Sequence, residues 1–271
     1  MNKKKVISDY PKDFFNEKKV FIRVDFNVPI NNDLNNIRED YRIRRSIPTI
    51  DFLINAGAKV ILGSHLGRPK GIVNSDLSLK IVSERLSELM ERPVVFCNDF
   101  KDKGWTNKFD KLPKGSVVLL ENLRFFKEET DNDSEFSKLL ASFADIYVND
   151  AFSCSHRAHA SIYEIPKFLP SFSGLQLDLE VNALNKITSE ITRPITCIIG
   201  GSKISTKIIV IKNLIPKFDN IIIVGGMANN FIEYFGNSVG KSIKEKNCNK
   251  IVEEIISLSK KEKCKIMYPE D

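Results

Sequence analysis

The stretch VFIRVDFNVP, residues 20–29, decides the fold. Its first half, 20–24, is β-branched and apolar enough to read as a buried strand, and Asp25-Phe26-Asn27-Val28-Pro29 breaks it with a polar turn. The same grammar recurs outward from it. Apolar runs at 59–62, 94–97, 117–120, 146–148, 195–199, 221–224 and 265–267 read as strands. Amphipathic stretches at 77–92, 134–143, 175–188, 205–215 and 248–263 read as helices. Strand and helix in alternation imply right-handed crossovers and a largely parallel sheet covered on both faces, an α/β fold.

The chain has 271 residues, so at about 150 residues per domain two domains are expected. With 42% hydrophobic and 28% charged residues it is neither disordered, collagen-like nor membrane-embedded. The net charge of +6 suits a phosphorylated metabolite as well as a nucleic acid. A nucleic acid is not expected, because no aromatic stacking platform is interleaved with the basic residues. Five scattered cysteines without a C-x-x-C argue against a disulfide framework or a zinc ribbon. The basic start, MNKKKVISDY, lacks the apolar run of a signal peptide, and no stretch is long enough to span a bilayer. A cytoplasmic protein with no membrane partner, monomeric, is the expectation.

The alternation breaks at IPKFLPSFSG, residues 165–174, where two prolines and a glycine interrupt it and no strand is expected before 195. This divides the chain into a first lobe over 1–172, a connector or hinge helix over 173–190, and a second lobe over 191–271 with only three strands. The sequence stops just past the carboxyl end of a strand, where a functional loop usually begins, so the second lobe is expected to be incomplete.

In a parallel sheet the loops after the strands share one edge, where ligands bind. Here those loops carry Asp25 and Asn27, then His65 and Arg68, then Arg124, then His156, Arg157 and His159. All three histidines of the chain lie in them. None of the eleven arginines lies beyond Arg193. The planar guanidinium fork suits phosphate and carboxylate, so several on one rim make a pocket for a small polyanion. His156 and His159 lack a third ligand at zinc spacing, and no protein-bound metal is expected.

The second lobe offers glycines instead. Gly200-Gly201-Ser202-Lys203 follows a strand and leads through Lys207 into a helix, the arrangement in which backbone N–H groups approach phosphates. Lys203 and Lys207, four apart, share a face if both are helical. Gly225-Gly226 follows the next strand. The run FGNSVGKS at 235–242 imitates a P-loop, but Phe235 stands at the first glycine and a helix precedes it. No G-x-G-x-x-G and no G-x-S-x-G is present.

VDFNVP (24–29), SHLGRP (64–69), LENLRF (120–125), VNDAF…HRAHAS (148–161), GGSK…K (200–207) and the glycine pair before Met227 occur in order, and together they closely resemble the phosphoglycerate kinases. The resemblance implies two Rossmann-like lobes with a cleft between them that closes about a hinge. It implies a glycolytic, ATP-binding phosphotransferase with a carboxyl group as acceptor, moving a phosphoryl group between 1,3-bisphosphoglycerate and magnesium-ADP. Carried over by motif, Asp25 and Asn27 contact the glycerate, while Arg68, Arg124 and Arg157 clamp the 3-phosphate with His65 nearby. Arg42 matches the arginine on the transferring phosphoryl group. Lys203 matches a lysine on that same group, Lys207 one on the ATP phosphates, and Gly226 a nucleotide-site glycine. Mg2+ accompanies the ADP or ATP.

Ser202 departs from the family's usual alanine, Ser153-Cys154-Ser155 from Gly-Thr-Ala, and Val224-Gly225-Gly226 has one glycine fewer. Family members run well past Asp271; the later segments include the aspartate that holds magnesium. The alternative is therefore a truncated homologue that binds 3-phosphoglycerate without transferring the phosphoryl group.

Overall fold

The computed structural model describes residues 5–31, 36–189 and 191–269, so Glu270 and Asp271 of the expected terminal loop lie outside the described residues. The chain divides into two compact units, residues 1–182 and 183–271. The first contains β1 (Lys19–Arg23), a short antiparallel pair β2 (Ile30–Asn31) and β3 (Asn36–Ile37), α1 (Tyr41–Asn55), β4 (Lys59–Gly63), α2 (Lys80–Met90) and β5 (Val94–Cys97). It continues through α3 (Lys103–Asp110), β6 (Val117–Leu120), α4 (Lys127–Thr130), α5 (Ser134–Ser142), β7 (Ile146–Asn149) and β8 (Ser171–Ser173). Helix α6 (Leu175–Ser189) runs across the division.

The six long-range strands of the first unit form one parallel sheet in the order β5-β6-β4-β1-β7-β8. β1 is central because it is apolar on both faces. Val20 and Ile22 enter one core with α1 and α2, while Phe21 enters the other with Val118, Leu140 and Tyr147. Gly63 is required beside it: a Cβ there would lie 2.4 Å from the Phe21 ring.

Two expectations need correction. β8 lies inside the break at 165–174, where no strand is expected: Ser171–Ser173 pairs with Tyr147–Asn149. Pro166 and Pro170 both precede the strand rather than interrupt it, and three residues at a sheet edge are too few for an alternation to be legible. Helix starts also move inward: α2 begins at Lys80 rather than 77, because Asn74 and Ser78 direct the preceding backbone into a separate short turn, with Asn74 Oδ1 accepting from Asp76 N at 3.0 Å.

The second unit holds β9 (Thr196–Gly200), α7 (Ile208–Leu214), β10 (Asn220–Val224), α8 (Ala228–Tyr234), α9 (Asn249–Glu262) and β11 (Lys265–Met267). Its strands are parallel in the order β11-β10-β9. Ile211, Ile221, Ile223, Phe231, Val252 and Ile255 build its core. Full cover on both faces, expected from the pattern, does not extend to β9: Ile198 is 68% exposed, and no described element packs over it.

Replacing Phe21 by Ala should cost the first unit about 3–5 kcal/mol, the scale of a buried aromatic truncation. Denaturant unfolding followed by fluorescence of Trp105, which packs against the same core, measures it. A change below 1 kcal/mol would remove β1 from the centre of the fold.

Candidate functional site

Register places the site. Arg23, the last residue of β1, sits opposite Gly63 of β4 and Asn149 of β7. The three strands end together, and their loops are sewn at the exit: Val24 N donates to Gly63 O at 3.0 Å and Asp150 N to Arg23 O at 2.9 Å. The loop after β6 joins through Leu123 N to Ser64 O at 3.1 Å. Asn122 then ties it down, its Nδ2 donating to Leu66 O at 2.8 Å and Leu77 O at 2.9 Å.

Arg23 is the residue the sequence reading missed. It continues the Phe21 face of β1 and is fully buried, although it is charged. Its Nε donates to Ser161 Oγ at 2.9 Å, its Nη1 to Val24 O, and its Nη2 meets His65 Nδ1 at 3.2 Å. Ser161 passes the contact on to Glu129, with Oγ donating to Oε1 at 2.6 Å and N donating to Oε2 at 2.9 Å. Glu129 is also fully buried. Burial pushes its carboxyl above the usual range, while the Arg23 charge and the Ser161 bonds oppose that shift. The signal was present in VFIRV: a charged residue inside an apolar strand needs a buried partner.

Arg124 lies beside this group, 5% exposed, and donates from Nη1 to Gly67 O at 3.0 Å. Its Nε and Nη2 are buried without a hydrogen-bond partner among the described residues. Burial, then the charges of Arg157 and Arg23, work against its charge. His65, also buried, is pushed strongly toward the neutral form by burial and by Arg23, Arg124 and Arg157. Burial and the same three arginines move His159 down to about 4. A fold that crowds cations around orphaned donors has built a place for an anion.

The other expected residues are distributed around this centre. Asp25 accepts from Arg42 and from the Ser153 hydroxyl, and Asn27 Oδ1 accepts from Gly67 N at 2.8 Å. Arg42 stands in the first turn of α1, its side chain 46% exposed. Asp25, Arg42, Asp150, Ser153 and Gln176 line a cleft of about 270 Å³. Arg68 and His156 are exposed, and Arg157 Nε meets His156 Nε2 at 3.3 Å. Arg44 and Arg85 are spent on Asp40, and Arg193 on Asp219. Only the tertiary structure sorts these arginines from the ones at the site.

Asp25, His65 and Cys154 are the one cluster of three candidate metal donors among the described residues. Guanidinium groups already occupy Asp25 and His65 Nδ1, so two of the three donor atoms are engaged by cations of the chain itself.

In the second unit the two glycine pairs come together. Met227 N donates to Gly201 O at 2.8 Å, and Gly225, at φ +71°, lies so close that a Cβ would be 3.4 Å from Gly201 O. A Cβ on Gly226 would lie 3.3 Å from Ser202 Cα. Lys203 and Lys207 do not share a helical face: α7 begins at Ile208, because Ile204 is buried in the core and turns the preceding loop, with Thr206 Oγ1 donating to Lys203 O at 2.9 Å. Both lysines are exposed. Glu245 steadies this loop by accepting from Ser205 N at 3.0 Å and Ser205 Oγ at 2.5 Å.

A family model described as phosphoglycerate kinase matches residues 10–271. The chain belongs to the phosphoglycerate kinase family. It is 49% identical over 257 residues to a phosphoglycerate kinase of Wolbachia pipientis subsp. Culex pipiens (strain wPip), covering 95% of this chain and 64% of that one. To a phosphoglycerate kinase of Dictyoglomus turgidum it is 45% identical over 268 residues, 99% of this chain and 67% of the relative. The solved phosphoglycerate kinase of Coxiella burnetii superposes with a TM-score of 0.83 at 35% identity, covering 97% of this chain and 65% of that one. That of Pyrococcus horikoshii OT3 gives 0.79 at 29% identity. The chain thus spans about two thirds of the length of these phosphoglycerate kinases. No helix among its described residues is long and apolar enough to cross a membrane.

Asp150 provides a test of the site's electrostatics. It is buried and accepts from Gln176 N at 2.9 Å and Leu177 N at 3.1 Å at the start of α6, and burial pushes its carboxyl up to about 6. A raised folded-state pKa means that the native state binds the extra proton. Its stabilising contribution is full below about 4 and is lost as pH rises through about 6. Asp150→Asn should therefore flatten the stability profile between about pH 4 and 6. Parallel wild-type and variant curves in denaturant titrations across that window would remove the assignment.

Proposed function

We propose that this chain binds 3-phosphoglycerate through its first unit and nucleotide phosphates through its second, and carries the reversible phosphoryl transfer between 1,3-bisphosphoglycerate and ADP. The observation that carries the reading is Arg124, whose buried guanidinium keeps Nε and Nη2 unpaired beside Arg23 and His65. 3-Phosphoglycerate carries a charge of about −3, counting roughly −2 on its phosphate. Such an anion supplies the missing acceptors and relieves repulsion between cations already held in place. Arg68 and Arg157, from neighbouring loops, complete the grip on the 3-phosphate, and Asp25 and Asn27 meet the glycerate.

Phosphoryl transfer asks little covalent work of a protein, since charge spreads over the phosphoryl oxygens in a loose transition state. Positioned cations stabilise that charge without reorganising, so no nucleophilic side chain is required. Arg42 takes this role, exchanging its contact with Asp25 for the transferring group, and Lys203 joins it. Lys207 is assigned to the nucleotide phosphates, with Gly226 contributing a backbone surface a side chain would fill. Magnesium belongs to the nucleotide substrate and neutralises phosphate charge there; no step is assigned to an ion held by this chain.

A calorimetric titration of the 271-residue chain with 3-phosphoglycerate at low salt tests the first half. One saturable site is expected, weakened by about 1.5–3 kcal/mol in Arg124→Ala, roughly 10- to 150-fold in Kd. No binding by the folded chain, or an unchanged Kd in the variant, would overturn it. In a coupled assay of turnover, Arg42→Ala should lower kcat by about 10³-fold while 3-phosphoglycerate affinity changes far less. Binding without any turnover would leave the phosphoglycerate site standing and remove the transfer.

A further inference from the structure

His65 is surrounded by cations, yet a histidine in an anion site is itself a candidate cation. The hydrogen-bond directions decide which it is. A guanidinium has no acceptor. Arg23 Nη2 lies 3.2 Å from His65 Nδ1, so Nδ1 must offer a lone pair. Cys154 Sγ, 4.0 Å from the same nitrogen, is a weak donor that favours the same arrangement. A protonated ring would set an Nδ1–H against the Arg23 N–H, donor against donor. Of the groups facing His65 from the other elements, Arg124 from the loop after β6 and Arg157 and His159 from the loop after β7 oppose a second proton, while the Asp25 carboxylate from the loop after β1, within 4.8 Å, is already held by Arg42 and the Ser153 hydroxyl.

Arg23 cannot turn away to relieve such a clash. Its Nε is bound by Ser161 Oγ, whose own proton goes to Glu129 Oε1 at 2.6 Å, and its Nη1 is bound by Val24 O. Tyr147 Oη holds Ser161 from the other side, donating to its carbonyl at 2.8 Å. Donation in the chain Glu129–Ser161–Arg23–His65 therefore diverges from Arg23, through Ser161 to the buried carboxyl on one side and to the imidazole on the other.

We propose that Arg23, clamped by Ser161 and Glu129, is a positioning residue that holds His65 as the neutral tautomer with its proton on Nε2. His65 then enters the anion site as a hydrogen-bond donor and not as a further positive charge. The use of that donor rests on the phosphoglycerate reading; the tautomer does not. A neutral donor keeps the site's charge constant across physiological pH, which a titrating histidine would not.

The test is the ring ¹⁵N spectrum of the full chain with ligand absent, long-range correlations being assigned with His65→Gln. From pH 8 to 5, His65 should show its protonated nitrogen coupled to both Hδ2 and Hε1, the signature of Nε2–H. Arg23→Met should move the two ring nitrogens toward a tautomer mixture and bring a protonation step into that range. Ser161→Ala, which removes one hydroxyl and unclamps the guanidinium, should move them part of the way. An Nδ1–H or doubly protonated ring in the wild type would overturn the proposal even if neither variant folds. So would a pattern that folded Arg23→Met and Ser161→Ala leave unchanged. A failed 3-phosphoglycerate titration alongside a correct tautomer would count against the proposed substrate alone.

Discussion

Two guanidinium groups buried at one sheet edge, Arg23 and Arg124, set the terms for the first unit, and the fully buried carboxyl of Glu129 lies near them. Removing a charge from water is costly unless it is paired, so the surrounding chain is organised around supplying partners. Ser161, Val24 O and His65 serve Arg23, while the Arg124 guanidinium has, among the described residues, only Gly67 O. The shortage is local and directional. It falls on the face of the sheet edge where the loops after β4, β6 and β7 meet, which is why a polyanion rather than a metal or an apolar ligand is the natural complement.

The architecture makes that shortage affordable. Parallel strands ending in register bring four loops to one edge, and the bonds among their exits, such as Asp150 N to Arg23 O, hold them rigidly. Apolar packing on both faces of β1 supplies the stability against which the unpaired donors are held. The second unit uses backbone instead of side-chain charge: the paired glycine turns at Gly201 and Gly225 expose main chain by excluding side chains, and the flexible, exposed Lys203 and Lys207 add charge from the periphery.

Much of this was legible in advance because strand cores are written as apolar runs; 94–97, 117–120 and 265–267 end where the structure ends them. The short edge strand β8 escaped because three residues directly after a proline carry no periodicity. Asp25, Asn27, His65 and Arg124 were legible because position after a strand dictates which edge a residue reaches. Arg23, Ser161 and Glu129 were not, since they come from a strand, a π-helical turn and a four-residue α-helix, the first pair being 138 positions apart.

The sequence by itself determined the parallel α/β framework, the ordered motifs of the phosphoglycerate kinase family and the concentration of basic residues in post-strand loops, because periodicity and local chemistry are properties of neighbours in the chain. Only the tertiary structure decided which arginines are buried, which are spent on Asp40 and Asp219, and which keep unpaired nitrogens. Desolvation and hydrogen-bond direction depend on what packs around a group in space. For Arg23 and His65 those neighbours are 42 residues apart in sequence and 3.2 Å apart in the fold.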